Sequence, residues 1–363
     1  MKEIKGKRKT VGIVTIQGRS NYGNRLQNYA TSELIKEIGH FPISLILDRS
    51  NDPAAKVRDF AKRLVGKYES PREEAMSKER LAAFDDFNKL IQFKTVDYTE
   101  LRHLRGFDYF CVGSDQIWRF GRFAFGEDWA YLQFVEGSKR IALAPSIGMD
   151  NISYLQSRRL AKYMKGFEKI SVREERGAEL ITEASGKRAI VLCDPTLALD
   201  VERWRALASP KCTPHSPYIL VYLLGSKTNE LIQLIDRLSN HGDLGVVYLS
   251  DRERPGEPPA GPSEFLSLVD CASHVVTDSF HASLFATVFA TPLTIVKRTS
   301  DNKSHSNMFC RIETLVNKLG IEHMVYGSSE FELSRSGDFD GVPEAIACEQ
   351  QKFMDYLEGC LND

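Results

Sequence analysis

The sequence has no long apolar run, no paired-cysteine motif and no excess of charge of either sign. Each absence removes a class of protein. The longest apolar stretch, Ala282 to Val296, is broken by Ser283, Thr287 and Pro292. It falls short of the roughly 20 residues that a membrane span needs. Met1 to Thr10 is basic, but Val11 to Ile16 behind it is too short for the apolar core of a secretory signal. Seven cysteines are scattered without a C-x-x-C pair. That usage fits a reducing cytosol and argues against a disulfide scaffold or a zinc ribbon. The formal net charge is -1, so nothing global points to nucleic acid or an anionic membrane. Gly12, Gly18 and Gly23 have the wrong spacing for a G-x-G-x-x-G dinucleotide fingerprint, and there is no Walker A sequence.

What is present is ordinary globular composition, 42% hydrophobic and 27% charged over 363 residues. That is too long for one usual core and about right for two. Continuously apolar runs at Val11–Gln17, Pro42–Asp48, Tyr109–Gly113, Arg140–Ile147, Lys169–Arg173 and Ile190–Cys193 read as strands buried on both faces. Helical periods lie between them. Leu26, Ala30, Leu34 and Ile38 step by four, and Gly39 follows as a terminator. Such alternation predicts an α/β fold with parallel sheets flanked by helices.

Arg49 to Arg105 breaks the rhythm with interleaved acids and bases, and reads as amphipathic helices inserted near 49–105. Ala208 to Pro217, with its prolines and serines, is the best linker. The strand–helix rhythm then restarts at Tyr218–Leu224 and runs through His274–Thr277 and the helix Phe280–Ala290 to a terminal helix over Pro343–Leu361. The expected division is a first Rossmann-like unit over 1–207 and a second over 208–363 that includes the terminal helix. Ligands would bind between them, at the carboxyl ends of both sheets.

The sharpest local signal is Thr277-Asp278-Ser279-Phe280-His281. A strand ends, Ser279 caps a helix, and His281 stands in its first turn. Free amides there suit an anion, and the imidazole adds a hydrogen bond or a proton. The i, i+3, i+4, i+7 spacing of His281, Leu284, Phe285 and Val288 equally describes a histidine topping a buried face. The turn Gly18 to Arg25 offers donors from Asn21, Arg25 and then Gln27, or serves only as a turn. Asp115, in Gly113-Ser114-Asp115-Gln116-Ile117-Trp118, is a candidate to deprotonate a hydroxyl, or a helix cap. Arg173 ends a strand and could reach the cleft or pair with Glu174. Asp194-Pro195-Thr196 reads as a structural strand end. Lys297, Arg298, Lys303 and Arg311 supply cations late in the chain. Asp338-Phe339-Asp340 matches a D-x-D metal pattern but sits in a Gly- and Ser-rich loop, and no other spacing resembles a metal site.

In this order, Asn21-Tyr22-Gly23-Asn24-Arg25-Leu26-Gln27-Asn28-Tyr29-Ala30, Gly113 to Trp118, Ser171-Val172-Arg173-Glu174, Asp194-Pro195-Thr196, Thr277 to His281 and Arg311-Ile312-Glu313-Thr314-Leu315 resemble the polysaccharide pyruvyl transferase family. The resemblance implies two facing Rossmann-like units of GT-B type. It implies transfer of a pyruvyl unit from phosphoenolpyruvate to two hydroxyls of a sugar or lipid-linked saccharide, without a metal or redox cofactor. By the same resemblance, His281 would serve the donor phosphate or act as general acid, and Arg173 would hold the donor. Ser279, Lys303 and Arg311 would line the donor site in the second unit, with Lys297 and Arg298 competing for the role of Lys303. Asn21, Arg25, Gln27 and Asp115 would face the acceptor in the first, with Asp115 as base. The expected setting is cytoplasmic, with peripheral attachment to the inner face of the membrane compatible with a lipid-linked acceptor; no nucleic-acid partner is expected. Ala282 departs from the glycine that many members carry after the histidine. A glycosyltransferase using a nucleotide sugar, or a non-catalytic saccharide binder of the same fold, is the competing reading.

Overall fold

The computed structural model describes residues 7–18, 21–52, 76–121, 126–240, 242–299 and 309–362. The first half forms a parallel sheet in the order β3-β2-β1-β4-β5. Its strands are β1 (Thr10–Val14), β2 (Phe41–Asp48), β3 (Phe93–Asp97), β4 (Tyr109–Gly113) and β5 (Arg140–Leu143). A parallel bridge from Ala142 to Ile170 joins this sheet to a small pair, β6 (Ser171–Val172) and β7 (Ile190–Val191). The second half forms a parallel sheet in the order β11-β10-β8-β9. Here β8 is Tyr218–Tyr222, β9 Gly245–Leu249, β10 His274–Thr277 and β11 Leu293–Ile295. β8 and β10 are buried at every position, as strands covered on both faces are.

The helices used below are α1 (Tyr22–Glu37), α2 (Lys78–Asn88), α3 (Tyr154–Met164), α4 (Glu175–Ser185), α5 (Val201–Leu207), α6 (Asn229–Leu238), α7 (Pro262–Asp270), α8 (Phe280–Phe289), α9 (Cys310–Leu319) and α10 (Val342–Leu361). α1 starts where the Asn21 side chain accepts the Asn24 N–H, and the chain leaves it through Gly39 at φ 85°, where a side chain would be strained. No helix among the described residues is long and apolar enough to cross a membrane.

Two features differ from the sequence expectation. The segment expected to be wholly helical contributes α2 but also the edge strand β3, while residues 53–75 of it lie outside the described residues. Only Val96 of β3 is buried, so an edge strand with one apolar anchor hides among charged residues. The terminal helix, grouped with the second unit, pairs through Glu349 with Lys318 of α9 and also reaches the first. The Tyr356 hydroxyl donates to the Ala142 carbonyl of β5 at 2.9 Å, and Gln350 Nε2 to the Leu197 carbonyl at 3.0 Å. Periodicity identifies which face of a helix is buried; it does not identify what covers it.

The halves share one apolar core. Tyr22, at the start of α1, stacks on Phe265 of α7 at 4.6 Å and on Phe84 of α2 at 5.3 Å, and its hydroxyl donates to the Ala260 carbonyl. Arg80 of α2 is fully buried beside that stack, with Nη2 donating to the Ser250 carbonyl at 2.6 Å. Phe84→Ala should therefore lower the unfolding free energy by about 3 to 5 kcal/mol. Urea denaturation should still show a single transition in the variant; two transitions would mean that the halves fold independently.

Candidate active site

In the first sheet β2 and β4 flank β1, and in the second β9 and β10 flank β8. Loops leaving such neighbours diverge and open a crevice at the carboxyl ends of the strands. The two crevices face one another across a cavity of about 450 Å³. Gly18 and Asn21 line it after β1, Asp115 and Gln116 after β4, Leu224 after β8, Asp251 after β9, Ser279 after β10 and Arg298 after β11.

His281 enters this cavity from the first turn of α8 and is 8% exposed. It stands between the halves. On one side a Cβ added to Gly23 of α1 would fall 2.1 Å from its Nδ1, so the ring is in contact with the bare glycine backbone. On the other, Nε2 lies 3.7 Å from Asp194 Oδ2, an ion-pair rather than a hydrogen-bond distance. Asp194 is fully buried; it accepts from Arg173 Nη1 and from the Ser114 hydroxyl, each at 2.5 Å. Burial alone would raise the Asp194 carboxyl, but His281, Arg173 and Ser114 outweigh it and hold the group well below the usual carboxylate range. Burial likewise works against the Arg173 cation, and Asp194, Asp115 and Glu174 reverse it, raising Arg173 above its ordinary value. Sequence alone had read Asp194 as a strand end; its side chain does cap the turn that follows, accepting from Thr196 N with Oδ1, while Oδ2 serves the site.

A cluster of cations surrounds this pair. Arg173 lies 4.4 Å from the Phe280 ring and Arg311 5.9 Å. Asp115 Oδ1 is shared between them, 3.6 Å from Arg173 Nη2 and 3.7 Å from Arg311 Nη1. The Asp115 backbone has φ 57°, and its carbonyl accepts the Ser146 N–H at 2.8 Å, which locks the turn after β4 against the loop after β5. Glu174 fixes that second loop, with Oε1 accepting from Ile147 N and Gly148 N. Burial first, and then the Arg173 cation, push Arg311 down to about 9. Two guanidinium groups confined this closely favour an incoming anion. The start of α8 adds to this. Ser279 occupies the N-cap but makes no side-chain cap, so the first amides of the helix keep their capacity for an anionic ligand. Arg298 borders the same space, held by Asp278, whose carboxyl also accepts from Leu224 N and Gly225 N.

The remaining expected residues divide. Asn21 lines the cavity, with Nδ2 3.5 Å from Asp251 Oδ1, which the Tyr222 hydroxyl also approaches at 2.6 Å. Asp251 and Tyr222 carried no motif in the sequence and are brought in only by the fold of the second sheet. Arg25 and Gln27 do not line the cavity. Arg25 is buried and donates to Gln17 Oε1 at 3.0 Å, and Gln27 donates to Thr15 Oγ1 at 2.7 Å. Both brace the turn that carries Asn21. Lys297 is exposed, 5.4 Å from the Phe309 ring, while its neighbour Arg298 faces inward. Lys303 lies outside the described residues. Asp338 is paired with Arg335 in an exposed turn away from the cavity, and no cluster among the described residues could hold a metal ion.

Two Rossmann-like units facing each other across a polar cavity define a GT-B-like α/β protein. The chain belongs to the polysaccharide pyruvyl transferase family, which matches residues 21–300. Its family is therefore one of transferases that act on polysaccharide. No curated protein sequence matches it. Among solved structures it is similar to S. aureus MnaA in a co-structure with UDP, at 12% identity and TM-score 0.55, over 98% of this chain and 97% of that one. It also aligns with the UDP-GlcNAc 2-epimerase of Neisseria meningitidis bound to UDP-GlcNAc, at 11% identity and TM-score 0.42, over 96% and 99%. At such identities the first likeness speaks for the fold alone, and the second carries no weight.

Gly23→Ala should displace the His281 ring, because the new methyl would occupy its position; a crystal structure with the ring unmoved would refute the contact. Asp194→Asn should lower stability by about 3 to 5 kcal/mol at neutral pH by leaving Arg173 short of its counter-charge. Since the folded pKa of Asp194 is depressed, its contribution is complete above the unfolded value of about 4 and is lost as pH falls below it. The stability gap between wild type and variant, measured by urea denaturation, should hold steady from about pH 7 to 5 and narrow below about pH 4.

Proposed function

We propose that this protein transfers the pyruvyl unit of phosphoenolpyruvate to two hydroxyls of one sugar in a surface glycan or its precursor. The products are a cyclic ketal and inorganic phosphate. The observation that carries the reading is a buried imidazole, His281, sharing one cavity with the guanidinium groups of Arg298 and Arg311. Membership of the family supports the same reaction.

The donor has two anionic ends, a phosphate and a carboxylate, and the arginines with the α8 amides match that charge. On this reading His281, in its charged form, gives a proton to the vinyl carbon, making it a methyl group. The adjacent carbon becomes oxocarbenium-like, and a sugar hydroxyl adds to it. The carbon–oxygen bond to phosphate then breaks, phosphate leaves with the bond's electron pair, and the second hydroxyl closes the ring. Of the two hydroxyl protons, one replaces the proton given by His281 and the other leaves on phosphate, so no oxidant, reductant or metal is consumed. Preorganised cations at the leaving group lower the barrier most.

Asp115, between two guanidinium groups, orients them toward the donor in this mechanism. Asp251, flanked by Asn21 and Tyr222, takes a sugar hydroxyl proton and passes it to the departing phosphate, the base role that Asp115 was expected to fill. The second unit then supplies most donor contacts, and Asn21 at the start of α1 meets the acceptor.

Melting of the purified chain with phosphoenolpyruvate, phosphate, UDP or GDP tests the donor. A ligand at 100 times its dissociation constant adds about 2.7 kcal/mol. Phosphoenolpyruvate should stabilise the wild type, and both His281→Ala and Arg311→Ala should lose most of that shift. Stabilisation by a nucleotide alone would overturn the reaction and favour a nucleotide-sugar donor.

A further inference from the structure

We propose that the exposed face of α3 docks on a membrane surface rich in anionic lipid. α3 starts behind a capping box, in which the Ser153 side chain accepts the Gln156 N–H and the Gln156 side chain accepts the Ser153 N–H. The first turn is thereby fixed. Yet its leading residues, Tyr154 and Leu155, are 74% and 71% exposed, whereas the other exposed large apolar residues among the described residues range from 36% to 52%. Leu160, Tyr163 and Met164 form the buried face of α3, so its geometry turns Tyr154 and Leu155 away from the core.

The same face is cationic. Tyr154, Arg158, Lys162 and Lys165 repeat at i, i+4, i+8 and i+11, which places them on one stripe. Arg159 lies beside them, next to Leu155. No Asp or Glu occurs between Ser153 and Phe167. Among acids on packed neighbours, Glu127 pairs with Arg159, and Glu179 and Glu183 of α4 pair with Arg176. With a net charge of -1 over the whole chain, this is a local concentration of positive charge.

Single exposed apolar residues are ordinary. An adjacent aromatic and aliphatic pair ahead of a cationic stripe is the pattern of a helix lying in a lipid interface, where the apolar pair enters the headgroup boundary and the cations meet anionic headgroups. Charge complementarity therefore selects lipid as the occupant. A stable contact with a second copy would need a broader apolar patch than this pair offers. A short loop joins Gly148, packed on the Gln116 side chain of the cavity wall, to the start of α3. Docking there would bring the first unit's side of the cavity close to the membrane. The proposal does not depend on the reaction above.

The test is co-sedimentation of the full chain with vesicles of phosphatidylcholine alone or of an equimolar mixture with phosphatidylglycerol. The wild type should bind the anionic vesicles, release at high salt and ignore the neutral ones. Tyr154→Ser with Leu155→Ser, and separately Arg158→Gln with Lys162→Gln, should each weaken binding on the order of tenfold. Their melting temperatures should match the wild type, because all four side chains are exposed. Absence of binding to anionic vesicles, or equal binding by wild type and both variants, would overturn the proposal. So would a dimer in solution that the Tyr154 and Leu155 substitutions dissolve, since that would give the face to a second copy.

Discussion

The buried contact between Asp194 and Arg173 is the constraint on which the site depends. Asp194 follows β7, Arg173 follows β6, Ser114 follows β4 and His281 comes from the other half, yet the last three meet around the Asp194 carboxylate. A charge removed from water is tolerated only when its partners are complete. Moving any of these loops would leave an ion exposed to a low-dielectric interior, so this pair fixes the backbone around the cavity as firmly as apolar packing does.

The charges are also divided between those already balanced and those awaiting a partner. Asp194 saturates one side of Arg173, and Asp115 is split between Arg173 and Arg311. Arg311 bears the remaining cost, since burial and its neighbouring cation both act against its charge. That imbalance, beside the uncapped start of α8, makes the cavity more favourable with an anion in it. Asn21, Asp251 and Tyr222, which line the same cavity, form a separate hydrogen-bonded group centred on Asp251.

Much of this was legible in the sequence because local signals and chemistry coincided. Strands such as β4 and β10 are short apolar runs bounded by turn residues; Ser279, Asp115 and Arg173 follow strand ends, and His281 stands in the helical turn after β10. Residues that depend on assembly were harder to see. Asp251 follows a weakly apolar strand with no motif around it. Asp194 has the same sequence signature as any capping aspartate, and the choice between Lys297 and Arg298 is set by a single step of backbone alternation. Arg25 and Gln27 carried the right chemistry for a ligand, but helix periodicity turned them into the wall behind the cavity.

The stack of Tyr22 between Phe84 and Phe265 has a mechanical consequence. Many clefts between paired domains work by a swinging hinge, with each body rotating about a thin connection. Here Tyr22 and Phe84 of the first half form a stack with Phe265 of the second, and α10 crosses back to the first sheet. Rotation of one half against the other would have to pull Tyr22 out of its stack, so this contact opposes hinge opening. Any opening of the cavity between the halves therefore carries the cost of exposing buried aromatic surface to water.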